Sequence, residues 1–181
     1  MYPSVDEIIT PLPRELSTTE KSTFITIKSP FLCENNELYR RGSVRSSNPI
    51  PSTCHIYYYE VNFIIPGGEK DIAIGLTSGG SNINRYPGIE KNTIGYGNNG
   101  MLYYESLGRE YGPSFSTDDI IGCGINLGSK TCFFTKNGKA LGTARSNMPN
   151  ISWFPTIALW DKAVVEVNFG QKPFMYNINT K

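Results

Sequence analysis

A chain of 181 residues, 39% hydrophobic and 12% aromatic, can bury one substantial core but not two. Its 17 basic and 16 acidic residues leave a net charge of +1, without the basic footprint that nucleic-acid binders carry, and no apolar run approaches membrane-spanning length. The 18 glycines and 12 prolines show no period, which suits many turns rather than disorder.

Residues 1–22 hold Pro3, Pro11 and Pro13 and predict an extended lead-in with one helical turn near 18–21. The start lacks a basic and apolar secretion signal. A domain over 23–177 and a tail over 178–181 follow, and the chain stops just after the domain pattern ends, as a piece of a longer parent would. Strands are expected at 24–27 and 38–40 around a turn at Glu34-Asn35-Asn36, with loops at 40–42 and 46–52. The first long strand, 57–65, puts Tyr59, Val61, Phe63 and Ile65 on one face and Tyr58, Glu60 and Asn62 on the other. Pro66-Gly67-Gly68 turns it, and Ile72, Ile74 and Leu76 continue the alternation. A polar loop over 79–92 carries Asn84, Arg85, Tyr86 and Pro87, and strands at 93–96 and 101–106 pair across 97–100.

The strongest pattern runs over 118–144, with hairpin signals at Gly128-Ser129 and Asn137-Gly138 between β-branched and aromatic runs. Two-residue turns there set Ile125 opposite Cys132, Cys123 opposite Phe134, and Phe134 opposite Leu141. One face then collects Ile121, Cys123, Ile125, Cys132, Phe134 and Leu141. The other is nearly all small or polar, with Phe133 its one large apolar residue, so the register is well specified. Strands at 154–160 and 163–169 follow across an Asp161-Lys162 corner. The tetrapeptide EVNF occurs at 60–63 and again at 166–169, two strands that want the same environment. About ten short strands and no long helix argue for an all-β, two-sheet antiparallel β-sandwich.

Catalytic signatures are sparse. Gly95 to Gly100 spells GxGxxG, but strand sequence follows where a dinucleotide site needs a helix. His55 is the lone histidine, and its neighbour Cys54 falls on the opposite strand face, a poor dyad. The cysteines at 33, 54, 123 and 132 lack metal spacing and read as reduced, structural thiols. Asp118-Asp119 reads as a solvated turn, and Glu60 and Glu166 as outward strand positions. No catalytic residue, cofactor or metal is assigned.

What remains is a surface. Arg40, Arg41, Tyr86, Ile94, Asn98, Leu159, Trp160 and Asp161 fall at turns or strand ends that a sandwich gathers at one end, where binding residues sit on a rigid scaffold. If Ile157 and Leu159 face the core, Trp160 points away from it, either as a binding anchor or as a lid over its hairpin. Arginines near aromatics suit an acidic or carbonyl-rich peptide.

The runs IIGCGINL, TCFFTKNGKALG, PIPSTCHIYYYEV, IAIGLTS, NRYPGIEKNTIGYGNNG and VEVNFGQKPF resemble the SPRY (B30.2/SPRY) domain of the Ran-binding protein M type, in that family's order and over nearly the whole chain. The resemblance implies a non-catalytic protein-interaction module that binds a short peptide on a loop-built surface and recruits a partner or substrate to a scaffold such as a ubiquitin-ligase complex. It also implies a cytoplasmic protein, also nuclear, and a monomer as an isolated domain, with no nucleic-acid or membrane partner. In the related SOCS-box SPRY proteins a Trp before the last long strand lines the peptide pocket, similar to Trp160, and Ile94 resembles the position of a pocket aromatic. Two features depart from the pattern: the loop after Leu38 is short, and Trp160 stands where this type tends to be polar. A carbohydrate-binding β-sandwich is the alternative from another class.

Overall fold

The 118–144 segment folds as its alternation dictates. In the computed structural model, which describes residues 11–65 and 72–180, Ile120–Asn126 and Thr131–Lys136 pair antiparallel with Cys123 opposite Phe134 and Ile125 opposite Cys132. The first connection is a four-residue loop rather than a two-residue turn. Lys130 takes φ 54°, and Asn126 Oδ1 accepts the Ser129 amide at 2.9 Å. The second is the expected two-residue turn, with Asn137 at φ 49° and Gly138 at φ 77°, a type I′ geometry. Beyond it, Phe134 does not face Leu141. The pairing slips through bulges, placing Phe133 opposite Thr143 and Cys132 opposite Arg145, and Gly142 at φ 92° accommodates the slip.

Among the described residues, fourteen strands form two seven-stranded sheets. In chain order they are β1 Leu16–Lys21, β2 Ile25–Ser29, β3 Leu32–Asn35, β4 Arg41–Ser46, β5 Ile56–Ile65, β6 Ala73–Ser78, β7 Thr93–Gly97, β8 Met101–Tyr104, β9 Leu107–Glu110, β10 Ile120–Asn126, β11 Thr131–Lys136, β12 Lys139–Arg145, β13 Trp153–Trp160 and β14 Val164–Asn168. One sheet runs β1-β4-β13-β6-β7-β8-β9 and the other β12-β11-β10-β5-β14-β3-β2. The two EVNF copies lie side by side: β14 pairs with β5 so that Val61 faces Val167, Glu60 faces Asn168 and Asn62 faces Glu166. Both valines are fully buried. Between the sheets, Tyr59, Phe63, Tyr96, Phe134 and Trp153 fill the core.

Several sequence expectations change. No helical turn forms at 18–21. Ser17 Oγ accepts the amides of Thr19 and Glu20, 3.2 and 2.9 Å away, so the cap-like signal serves an irregularity within β1 where its pairing to β4 shifts. Glu34 and Asn35 end β3 instead of forming a turn, while 38–40 is loop. Arg41 and Gly42 open β4: a Cβ at Gly42 would sit 2.9 Å from Ile25 Cγ1, so this glycine permits a close approach of strands. Ile65 is exposed at the sheet end. The 66–68 turn lies outside the described residues.

Tyr58 and Glu60, expected to face outward, are buried. The chain after β14 returns across the outer face of its own sheet, packing Phe174 and Tyr176 against Tyr58 and Phe133. Glycines at 122 and 124 make room for these rings, since a Cβ would lie 2.0 Å from the Tyr58 hydroxyl or 2.3 Å from Phe133 Cζ.

Candidate functional site

The 79–92 loop does not project from the sandwich but folds flat over the outer face of the β4-β13-β6-β7 sheet. Two features hold it there. Ser43 donates its amide to the Ile83 carbonyl at 3.2 Å and its hydroxyl to the Arg85 carbonyl at 3.0 Å. Buried Arg45 clamps the loop's start through the Gly79 carbonyl at 2.9 Å and the Ser81 hydroxyl at 2.6 Å. Gly95 lets the loop descend: a Cβ there would lie 2.1 Å from the Pro87 carbonyl oxygen. Tyr86 consequently lies over Ala73 and Ala158, meets Tyr103 edge-on at 5.7 Å, and donates its hydroxyl to the Ile72 carbonyl at 2.8 Å.

The register of β13 against β4 then sets Trp160 opposite Arg41. The Arg41 guanidinium carbon lies 5.1 Å from the Tyr86 ring centroid and 5.8 Å from that of Trp160. Two aromatic faces thus hold one guanidinium, an arrangement Lys cannot reproduce. Both Arg41 and Trp160 are half-buried.

The other expected residues divide into three groups. Asn98 joins the cluster through Ile72, whose carbonyl accepts the Asn98 amide at 2.9 Å as well as the Tyr86 hydroxyl. Arg40 and Asp161 flank it. Arg40 is exposed, its guanidinium 6.0 Å from the Phe24 ring, and the Asp161 carboxylate accepts the Tyr39 amide. The Asp161-Lys162 corner has φ 44° and 54°, and buried Asn35 ties it to the neighbouring loop by donating to the carbonyls of Leu159 and Arg40 at 3.0 and 2.9 Å. Ile94 and Leu159, each 0% exposed, belong to the core and support this surface from beneath rather than lining it. Tyr39, whose amide meets Asp161, is 78% exposed at the tip of the β3–β4 loop, and nothing in the local sequence pattern singles it out.

The catalytic patterns weighed in the sequence take structural forms. Gly95 to Gly100 spans the end of β7 and its turn into β8, with Gly100 at φ 85°. The Cys54 thiol donates to the Ile56 carbonyl at 3.1 Å. Among the described residues there is no group of three or more His, Cys, Asp or Glu able to hold a metal ion, and no helix long and apolar enough to cross a membrane.

Known proteins share this architecture. The family profile of the SPRY domain matches residues 56–172. Mouse Ran-binding protein 9 is 41% identical over 98% of the chain, and the Ran-binding protein M homolog of Arabidopsis thaliana is 36% identical over 92%. The chain spans only 28% and 38% of those two relatives. A crystal structure of a human SPRY domain superposes with a TM-score of 0.74 at 25% identity, covering 84% of this chain and 99% of that one. The profile match, the relatives and the shared sandwich agree: the chain belongs to the SPRY domain family, in its Ran-binding protein M type.

Proposed function

We propose that this domain is a non-catalytic docking module that binds a short, extended segment of a partner protein on the surface around Arg41, Tyr86 and Trp160, with Arg40, Asn98 and Asp161 at its rim. SPRY domains are generally protein-interaction modules. The observation that carries the reading is the guanidinium held between two rings. Such a side chain is ordered before its partner arrives, so docking costs little further side-chain entropy. Its neighbours Arg40, Arg85 and Lys162 are exposed cations, which favours an acidic or carbonyl-rich peptide. Sugar stacking would need open ring faces, whereas Tyr86 is buried and Trp160 packs toward Arg41. The relatives extend well beyond this domain, which fits recruitment of the bound segment to a larger scaffold, such as a ubiquitin-ligase complex, in the cytoplasm or nucleus.

The test begins with peptides selected on the wild-type domain from a random linear library, followed by calorimetric titration of the best binder against Trp160→Ala. Truncating a central interface Trp commonly costs about 2–4 kcal/mol, roughly thirty- to a thousand-fold in affinity. A half-buried Trp acting as anchor should leave the melting temperature within a few degrees. Unchanged affinity would exclude this surface, and binding lost only through unfolding would make Trp160 a lid.

A further inference from the structure

The sandwich has a second opening where the sheets end, at β9 in one and β12 in the other. There a groove of about 450 Å³ runs between the two edges, floored by Leu102 and Tyr104. A guanidinium stands on each side of it. Arg145, at the end of β12, lies 4.0 Å from the Tyr104 ring centroid. Arg109, on β9, lies 5.5 Å from the Tyr111 ring and donates to the Ala144 carbonyl at 2.6 Å, bridging the sheets. Each arginine is therefore oriented by an aromatic face, and each has five N–H donors to distribute. Leu107, 76% exposed, stands beside them on β9, whose residues are all exposed.

We propose that this groove is a second peptide-binding site, separate from the Arg41–Tyr86–Trp160 surface, and that it takes an extended acidic segment with an aliphatic side chain next to its carboxylate. Charge complementarity selects the carboxylate. Two planar guanidiniums favour bidentate pairing with carboxylates, and no carboxylate is among the described residues that line the groove, leaving cationic excess. Leu107, exposed beside the groove, selects the aliphatic neighbour. Strand geometry supplies the extended form. Tyr104 pairs with Leu107 and Leu102 with Arg109 across a two-residue turn, so the alternate residues Gly108 and Glu110 direct their backbone groups to the outer edge, where an added strand finds them. Four strand spacings, β13-β6-β7-β8-β9, separate this edge from Trp160, about 19 Å at the usual inter-strand distance, so both sites can be filled at once.

The experiment selects peptides from a random linear library on a domain carrying Arg41→Ala and Trp160→Ala, which removes the first surface. The expected result is enrichment of acidic–aliphatic sequences whose binding weakens at least tenfold in Arg109→Gln/Arg145→Gln and falls steeply between low and high salt. Amide NMR shifts on adding such a peptide should centre on residues 102–110 and 144–147. The double variant keeps a polar, uncharged side chain at each position, and its melting curve checks that it is folded. Selection yielding no acidic consensus, or acidic peptides that bind the double variant equally well, overturns the proposal. Failure of the Trp160 surface would leave it standing, since the first surface is disabled in this selection.

Discussion

Glu60 and Tyr176 are 116 positions apart, yet the Glu60 carboxylate accepts the Tyr176 backbone amide at 3.0 Å. The same carboxylate accepts the Met175 amide at 3.0 Å and the Tyr58 hydroxyl at 2.9 Å. A charge 3% exposed is tolerable only when its lone pairs are filled, and here the returning chain fills them. Glu60 is thus the latch that holds the C-terminal segment over Tyr58 and Phe133.

Replacing Glu60 with Gln should cost about 2–3 kcal/mol, because a charge-assisted acceptor of three donors becomes an amide that opposes one of them with its own N–H. For a domain this size that lowers the melting temperature by roughly 4–12 °C. The loss should begin locally, with faster hydrogen exchange at Met175 and Tyr176 than in β10 and β11. Uniform acceleration across the sandwich would show that the segment is no separate latch.

The latch also marks where the sequence stops being informative. Strands whose alternation is read against a single core were legible: the β10–β11 register, the type I′ turn at Asn137-Gly138 and the shared face of the EVNF copies. Strand β9 was not, because Leu107 to Glu110 are all exposed and carry no alternating burial to detect. Glu60 and Tyr58 read as outward because nothing local announces a covering segment more than a hundred residues away. At the candidate site the residue types were visible, but the contact of Arg41 with Trp160 depends on the β4–β13 register, and that of Tyr86 on a loop lying down over glycines. Ile94 and Leu159 look like surface positions in the sequence because strand-end position does not reveal which face a side chain takes.

Gly138→Val should destabilise the domain by about 1 kcal/mol or more. A β-branched residue resists φ 77°, and a Cβ at this position would lie 2.9 Å from the Met175 carbonyl oxygen. Gly142→Ala separates the two causes, since Gly142 has φ 92° but open space around its Cβ. Its midpoint in urea should move less than that of Gly138→Val. Equal shifts would assign the whole cost to backbone strain.

The thiols should react in a fixed order. Burial pushes the Cys33 thiol up to about 12, with Glu34 adding to the effect, and burial with the neighbouring Cys132 raises Cys123 well above the ordinary thiol range. Cys33, Cys123 and Cys132 are buried, whereas Cys54 is partly exposed. Because the thiolate is the reactive form, an aromatic disulfide reagent at pH 8 should label Cys54 first in the folded protein and all four cysteines after unfolding. Mass mapping that finds Cys123 or Cys132 modified before Cys54, or linked to each other in fresh material, would contradict this order.

Asp119 gives the fold an acid-sensitive tie. Its carboxylate accepts the Ser116 amide at 2.9 Å and the Asn137 side-chain amide at 2.8 Å, and lies 3.3 Å from the Lys136 ammonium. Asn137 Oδ1 in turn accepts the Ile120 amide at 2.8 Å, so this one carboxylate joins the loop before β10 to the β11–β12 turn. Burial alone would raise its pKa, but hydrogen bonds from Asn137, Ser116 and Lys136, together with the Lys136 charge, outweigh burial and hold it below the ordinary carboxylate value. A folded pKa below the unfolded one means the stabilisation is fully present above the unfolded value of about 3.9, and is lost as pH falls through the folded value. Asp119→Asn should therefore be less stable than wild type by about 1 kcal/mol at pH 7, with the gap narrowing below about pH 4 as the wild-type carboxylate protonates. Urea midpoints for the two proteins at pH 7, 5 and 3 measure this directly. A gap that stays constant down to pH 3 would mean that Asp119 contributes through the shape of its hydrogen bonds and not through its charge.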